Sequence, residues 1–115
     1  LIWVWNANAV VSGNVDDYAP YFPGKEVVDV VATDVYRNRY DAAYPERLQA
    51  LAPGKPIAIG ECGQLPTPEI LDEQPDWTWF MCWTNWLTDK NDPEGVRRLY
   101  ADPPVLTLDE VDRPY

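Results

Sequence analysis

The segment Lys55–Pro66 of this 115-residue chain reads KPIAIGECGQLP. An apolar run, Pro56 to Ile59, reaches Gly60; a single acid, Glu61, follows, and then the turn-rich Cys62-Gly63-Gln64-Leu65-Pro66. A carboxylate at the carboxyl end of a buried strand stands where parallel α/β folds build their active sites. Other reactive or ligand-binding types follow apolar runs in the same way: Trp5 and Asn6, Asp34 and Tyr36, and Trp83 followed by Asn85 and Trp86. Converged on one rim, these residues suit a carbohydrate. Aromatic faces stack on pyranose rings, amides and acids bond hydroxyls, and a carboxylate can act at a glycosidic bond.

Each candidate has a plainer reading beside it. Glu61 could be a solvated strand-end acid or a salt-bridge partner. Asp34 shares parity with Tyr36, so both are expected to face the cleft, with a hydrogen-bonding role for Asp34 favoured over a catalytic one. Tyr36 reads as a site residue, with ordinary core as the alternative. Trp77, Trp79 and Trp83 share a face on strict alternation; Trp83 is expected at the rim and the other two as filling. Trp5 is nearer the rim than Trp3, and core and sugar contact are equal readings for it. Asn85 and Trp86 are expected in a loop lining a distal subsite. Asn6 either bonds substrate or caps its strand.

Composition removes whole classes. The chain has no His, which excludes a Ser-His-Asp triad, a Cys-His pair and the usual His-based zinc sites within it. Cys62 therefore lacks the partner that would activate it as a nucleophile. It has opposite parity to Glu61, as Cys82 has to Trp83, so both thiols are expected to face helices, unbonded. A net charge of −10 argues against nucleic acid, whose phosphates need cationic partners. No apolar run approaches the ~20 residues of a membrane span. The acids of LTLDEVDRPY lack calcium-loop spacing and read as a solvated tail. Six Trp and seven Tyr are unusual for 115 residues, and large aromatics with a polar edge suit cores, interfaces and sugar-stacking surfaces alike.

The elements that position these residues alternate. Leu1–Trp5, Val27–Tyr36, Lys55–Glu61 and Trp77–Trp83 read as strands. They are continuously apolar more than alternating, as strands covered on both faces are. Helices are predicted over Tyr44–Ala52, stopped by Pro53-Gly54, over Thr67–Gln74 and over Asp92–Asp102. The last two open with a capping Thr or Asp before Pro. Asn6–Glu26 reads as a loop. Strand–helix alternation implies parallel pairing through right-handed crossovers. The fold class expected is α/β: about four βα units, half of a (βα)₈ barrel, with an open doubly wound sheet as the alternative.

Four stretches in this order, LIWVWNAN, YFPGKEVVDVVATDVY, KPIAIGECG and WTWFMCWTNWL, together with the ending VRRLYADPPVLTLDEV, resemble the second half of a glycoside hydrolase family 26 catalytic domain. The resemblance covers essentially the whole chain, residues 1–115, and implies strands five to eight of a (βα)₈ barrel. That family is dominated by endo-β-1,4-mannanases that retain anomeric configuration and use two Glu. Glu61 with Gly63 matches the nucleophile's Glu-x-Gly setting, Tyr36 the Tyr beside it, and Trp83 the Trp that floors the sugar site. The acid/base Glu of a His-Glu pair on the fourth strand has no counterpart in this sequence.

The resemblance therefore implies a fragment that carries the nucleophile and is inactive by itself. Leu1 opens directly into a strand, without Met or a signal-peptide pattern, which reads as a fragment boundary. The substrate implied is β-mannan or a related β-glycan, with no metal or organic cofactor. A polymeric substrate implies an extracellular or periplasmic location. The implied partners are the missing amino-terminal half of the barrel or further copies of the chain. A carbohydrate-binding half-barrel without turnover is the rival reading, and xylanase or mixed-linkage glucanase specificity is a second rival.

Overall fold

The computed structural model describes residues 1–9 and 17–111. Residues 10–16 of the expected first loop and residues 112–115 of the expected tail lie outside the described residues. Four strands, β1 (Val4–Asn8), β2 (Val30–Val35), β3 (Ile57–Cys62) and β4 (Trp77–Cys82), form one sheet in chain order, and every neighbouring pair is parallel. Helices α1 (Ala43–Leu51) and α2 (Pro68–Glu73) connect β2 to β3 and β3 to β4, and α3 (Thr84–Asp89) and α4 (Pro93–Tyr100) follow β4.

The helix starts obey local chemistry. Thr67 precedes α2 and its side chain accepts the Ile70 N–H; Asp92 precedes α4 and accepts the Gly95 N–H. Pro occupies the start of both helices, where its missing N–H costs nothing. An Arg98–Glu69 ion pair ties α4 to α2.

The sheet is covered on one face. Val31 and Ile57 pack against Leu48 of α1 and Ala52 just beyond its end, while Val35, Ile59 and Cys62 pack against Tyr44 and Leu99. On the other face Val30, Ala32 and Ala58 form a small cluster without any helical residue. Helices on a single face argue for part of a closed barrel, whose strands turn their other face to a common interior. A doubly wound sheet would carry helices on both faces.

β1 departs from expectation. It runs Val4–Asn8 instead of Leu1–Trp5. Asn6-Ala7-Asn8 has poor strand propensity, but pairing of Asn6 with Ala32 and Asn8 with Asp34 carries the strand onward. The second strand is trimmed at its start: Val27 lies exposed in a bend, and pairing begins at Val30.

Candidate active site

Glu61 reaches the rim through a bulge. Ile57 and Ile59 face the helices, and simple alternation would send Glu61 after them. The pairing prevents this: Thr33 is opposite Ile59, but Asp34 is opposite Glu61, so Gly60 is an extra residue in β3. One inserted residue reverses parity. Glu61 thereby takes the open face with Asp34, and Cys62 takes the helix face with Val35. A Cβ at position 60 would overlap the Asn6 carboxamide, so that glycine leaves the carboxamide its place over the bulge.

Two donors converge on one oxygen of Glu61. The Tyr36 hydroxyl donates to Oε2 at 2.7 Å and the Trp83 indole Nε1–H donates to the same atom at 3.3 Å. Among the described residues no donor is hydrogen-bonded to Oε1. Tyr36 sits just beyond β2, where the chain turns through left-handed Arg37 (φ 60°) and Asn38 (φ 53°). Two consecutive non-glycine residues in that region cost energy, and such strain gathers at functional sites. Desolvation, then the hydrogen bond to Glu61, pushes the Tyr36 phenol up to about 12, so it remains a neutral donor.

Asp34 stands beside Glu61 on β2 and is held differently. Asn6 Nδ2–H donates to its Oδ1 at 2.7 Å. Partial burial raises its pKa, the Asn6 bond opposes that, and the Glu61 charge adds to it. A cleft lined by Asn8, Asp34, Tyr36, Arg37, Arg39 and Tyr44 opens next to this pair.

Trp83 is 49% exposed, leaving much of its ring free at the mouth of the site. Asn85 and Trp86 belong to helix α3, not to a loop, which corrects the sequence reading. Asn85 is exposed there. Trp86 is half-buried, and its ring meets Tyr36 edge-on at 5.4 Å and 71°. It also lies over Gly63, where a Cβ would come within 2.6 Å of the indole.

Trp5 is not at the site. The shift of β1 to Val4–Asn8 puts it near the start of the strand opposite Val31, on the helix face, where it packs edge-on against Tyr18 and Phe22. The sugar-contact expectation for Trp5 is thus corrected. Trp77 likewise leaves the face of Trp83: a register shift in β4 turns it to the helix side, where its Nε1–H donates to Gln74. Cys62 and Cys82 are paired in register on the helix face as free thiols, and burial pushes Cys62 up to about 12.

Sequence reasoning missed Asn91. Its Oδ1 accepts the Leu65 N–H at 2.7 Å, and its Nδ2 donates to the carbonyls of Gly63 and Trp86, both at 3.0 Å. An Asn just ahead of a capping Asp carries no signal of such long-range bonding. Among the described residues no three His, Cys, Asp or Glu side chains come together to hold a metal ion, and no helix is long and apolar enough to cross a membrane.

Residues 1–110 match the sequence profile of glycosyl hydrolase family 26. A mannan endo-1,4-beta-mannosidase of Thermothelomyces thermophilus is 31% identical over 118 aligned residues, which cover 96% of this chain and 23% of that protein. The structure of GH26A from Muricauda sp. MAR_2010_75 superposes with a TM-score of 0.89 at 46% identity, over 97% of this chain and 38% of that one. The Podospora anserina GH26-CBM35 beta-(1,4)-mannanase gives a TM-score of 0.74 at 31% identity, over 95% of this chain and 24% of that one. A ruminal GH26 endo-beta-1,4-mannanase shares the fold at 22% identity, with a TM-score of 0.74. The chain therefore spans about a quarter to two-fifths of the length of these relatives. Its four βα units are a portion of a (βα)₈ barrel.

Proposed function

Because the chain belongs to glycosyl hydrolase family 26, we propose that it carries the nucleophile of a retaining enzyme that cuts β-1,4-mannan internally. The observation that carries this reading is the convergence of Tyr36 Oη and Trp83 Nε1 on Glu61 Oε2. Those donors fix Oε2 and leave Oε1 to attack. In the first step Glu61 Oε1 bonds to the anomeric carbon as the glycosidic C–O bond breaks, and the leaving oxygen takes a proton from a second carboxyl. In the second step water, deprotonated by that same group, displaces Glu61 and restores the carboxylate. The second carboxyl must stand about 5–5.5 Å from Glu61. We assign it to a part of the protein outside this chain. Asp34 is not that acid in our reading, since it is committed to Asn6 on the same sheet.

Within this proposal Trp83 offers its exposed ring to the sugar at the cleavage point, and Asn85, exposed on α3, reaches toward a more distant sugar. Trp86 braces Tyr36. The rest of the barrel, or another copy of the chain, covers the apolar side chains left exposed on β1 and β4, among them Val4, Trp79 and Met81. A polymer too large to enter a cell places the enzyme outside the cytoplasm, in the medium or the periplasm.

The test is hydrolysis of β-mannan, xylan and mixed-linkage glucan by the intact protein with and without Glu61→Gln. We expect mannan to be the best substrate and the variant to lose roughly 10⁴-fold or more in kcat, as removal of a nucleophile does. Full activity in the variant removes Glu61 from the mechanism. Turnover of xylan or glucan in place of mannan reassigns the substrate. Binding of mannan by the wild-type protein with no turnover of any of the three favours a carbohydrate-binding module.

A further inference from the structure

We propose that Asn91 is a positioning residue for Glu61, acting through Trp86 and Tyr36; this rests on the reading of Glu61 as nucleophile. Asn91 lies between α3 and the Asp92 cap of α4, half-buried and far from the anomeric centre in the order of contacts. Its carboxamide is fully used. Oδ1 accepts from Leu65 N–H, and the two Nδ2 hydrogens match two carbonyls, those of Gly63 and Trp86. One acceptor and two donors in a single plane is a pattern that only an amide side chain offers.

Those bonds join the loop that leaves Glu61 to the helix that carries Trp86. The Gly63 carbonyl also accepts from the Cys82 thiol at 3.4 Å. Held in this way, Gly63 forms a slot. A Cβ there would lie 2.6 Å from the Trp86 ring and 3.1 Å from the Tyr36 ring. The indole fills the slot and meets Tyr36 edge-on, and Tyr36 in turn donates to Glu61 Oε2 at 2.7 Å. Bonds three contacts from the Glu61 carboxylate therefore set where that carboxylate stands. Misplacement of a reacting group by about 1 Å costs roughly 100-fold in rate.

Asn91→Ala and the isosteric Asn91→Asp remove the paired donors, and the second sets a carboxylate against two carbonyls. In the intact protein both are expected to lower kcat on β-mannan about 10- to 100-fold with KM within about threefold. The distinguishing readout is Tyr36 itself. Its phenol, at about 12 in the wild type, is expected to titrate closer to the ordinary 10.0 once the brace is lost. Carbon-13 tyrosine spectra report this, with Tyr36→Phe assigning the signal. A folded Asn91 variant with wild-type kcat and an unmoved Tyr36 titration overturns the proposal. If neither Asn91 variant folds, Trp86→Leu breaks the same chain one link later. The same fall in kcat and Tyr36 shift are then expected, and wild-type values overturn the proposal. The Tyr36 readout does not depend on which residue attacks the sugar. Full activity in Glu61→Gln therefore removes the nucleophile reading alone, while the titration still decides the brace.

Discussion

Two carboxylates stand side by side at the open rim, Asp34 on β2 and Glu61 on β3, paired in register yet served by different neighbourhoods. Glu61 receives a phenol and an indole, both on one oxygen, backed by a third aromatic. Asp34 receives one primary amide from an exposed strand residue. The first arrangement fixes one carboxylate oxygen with two neutral donors. The second is a single bond to a side chain that can rotate away. Adjacent acids repel, and the Glu61 charge itself helps to raise Asp34's pKa. Pairing in the sheet brings two acids together; the groups around each decide how it is held.

The strongest way to break this contrast is Tyr36→Phe. It removes a hydrogen bond to an ionised group, worth about 1.5–3 kcal/mol, so we expect kcat/KM on mannan to fall roughly 10- to 100-fold, measured at matched protein stability. Its pH signature has a defined sign. Tyr36's folded pKa lies above the ordinary 10.0, at about 12. The stability it contributes is therefore complete below 10.0 and lost as pH rises through about 12. Wild type and Tyr36→Phe should thus converge in denaturant midpoint across that alkaline window, and a constant gap there contradicts the assignment.

Gly60→Ala attacks the other neighbourhood. The added methyl displaces the Asn6 carboxamide from its place over the bulge and so breaks the Asn6–Asp34 bond. That bond holds a carboxyl that does not attack the sugar in the proposed mechanism, so we expect kcat/KM to fall by about fivefold at most, less than for Tyr36→Phe. A larger loss in Gly60→Ala would reverse the ranking of the two acids.

The smallest effect is the sharpest. Glu61→Gln removes a charge that raises Asp34's pKa, whereas Gly60→Ala removes the Asn6 bond that lowers it. Carboxyl-carbon titration should show Asp34 moving down in the first variant and up in the second. Movement in the same direction in both would mean that the two acids are not coupled as described.

Much of this site was visible in the residues before any coordinates. The apolar runs, the Thr-Pro and Asp-Pro helix starts and the residues after each run are local signals. They identified Glu61, Tyr36 and Trp83, which the fold brings together. The two misplaced tryptophans owe their errors to the strand alone. An assumed strand end puts Trp5 near the rim and strict alternation puts Trp77 with Trp83; the pairing places both on the helix face. Helix α3 was missed because Trp83-Thr84-Asn85-Trp86 has no strong capping pair, and its N-terminus makes no side-chain cap. Asn91 was missed because its partners are distant, the farthest being 28 residues away in sequence.

The order of strands and helices, their parallel pairing and the aromatic and acidic residues that end the strands are legible in the chain, because propensity, capping and hydrophobic runs act over a few residues. Which way those residues face is settled by packing between strands. Alternation alone would have turned Glu61 toward the helices with Ile59. The extra residue at Gly60 turns it to the open side, and that insertion exists only relative to the neighbouring strand. A side chain's direction in a sheet is a property of the register between two strands, and no single strand contains it.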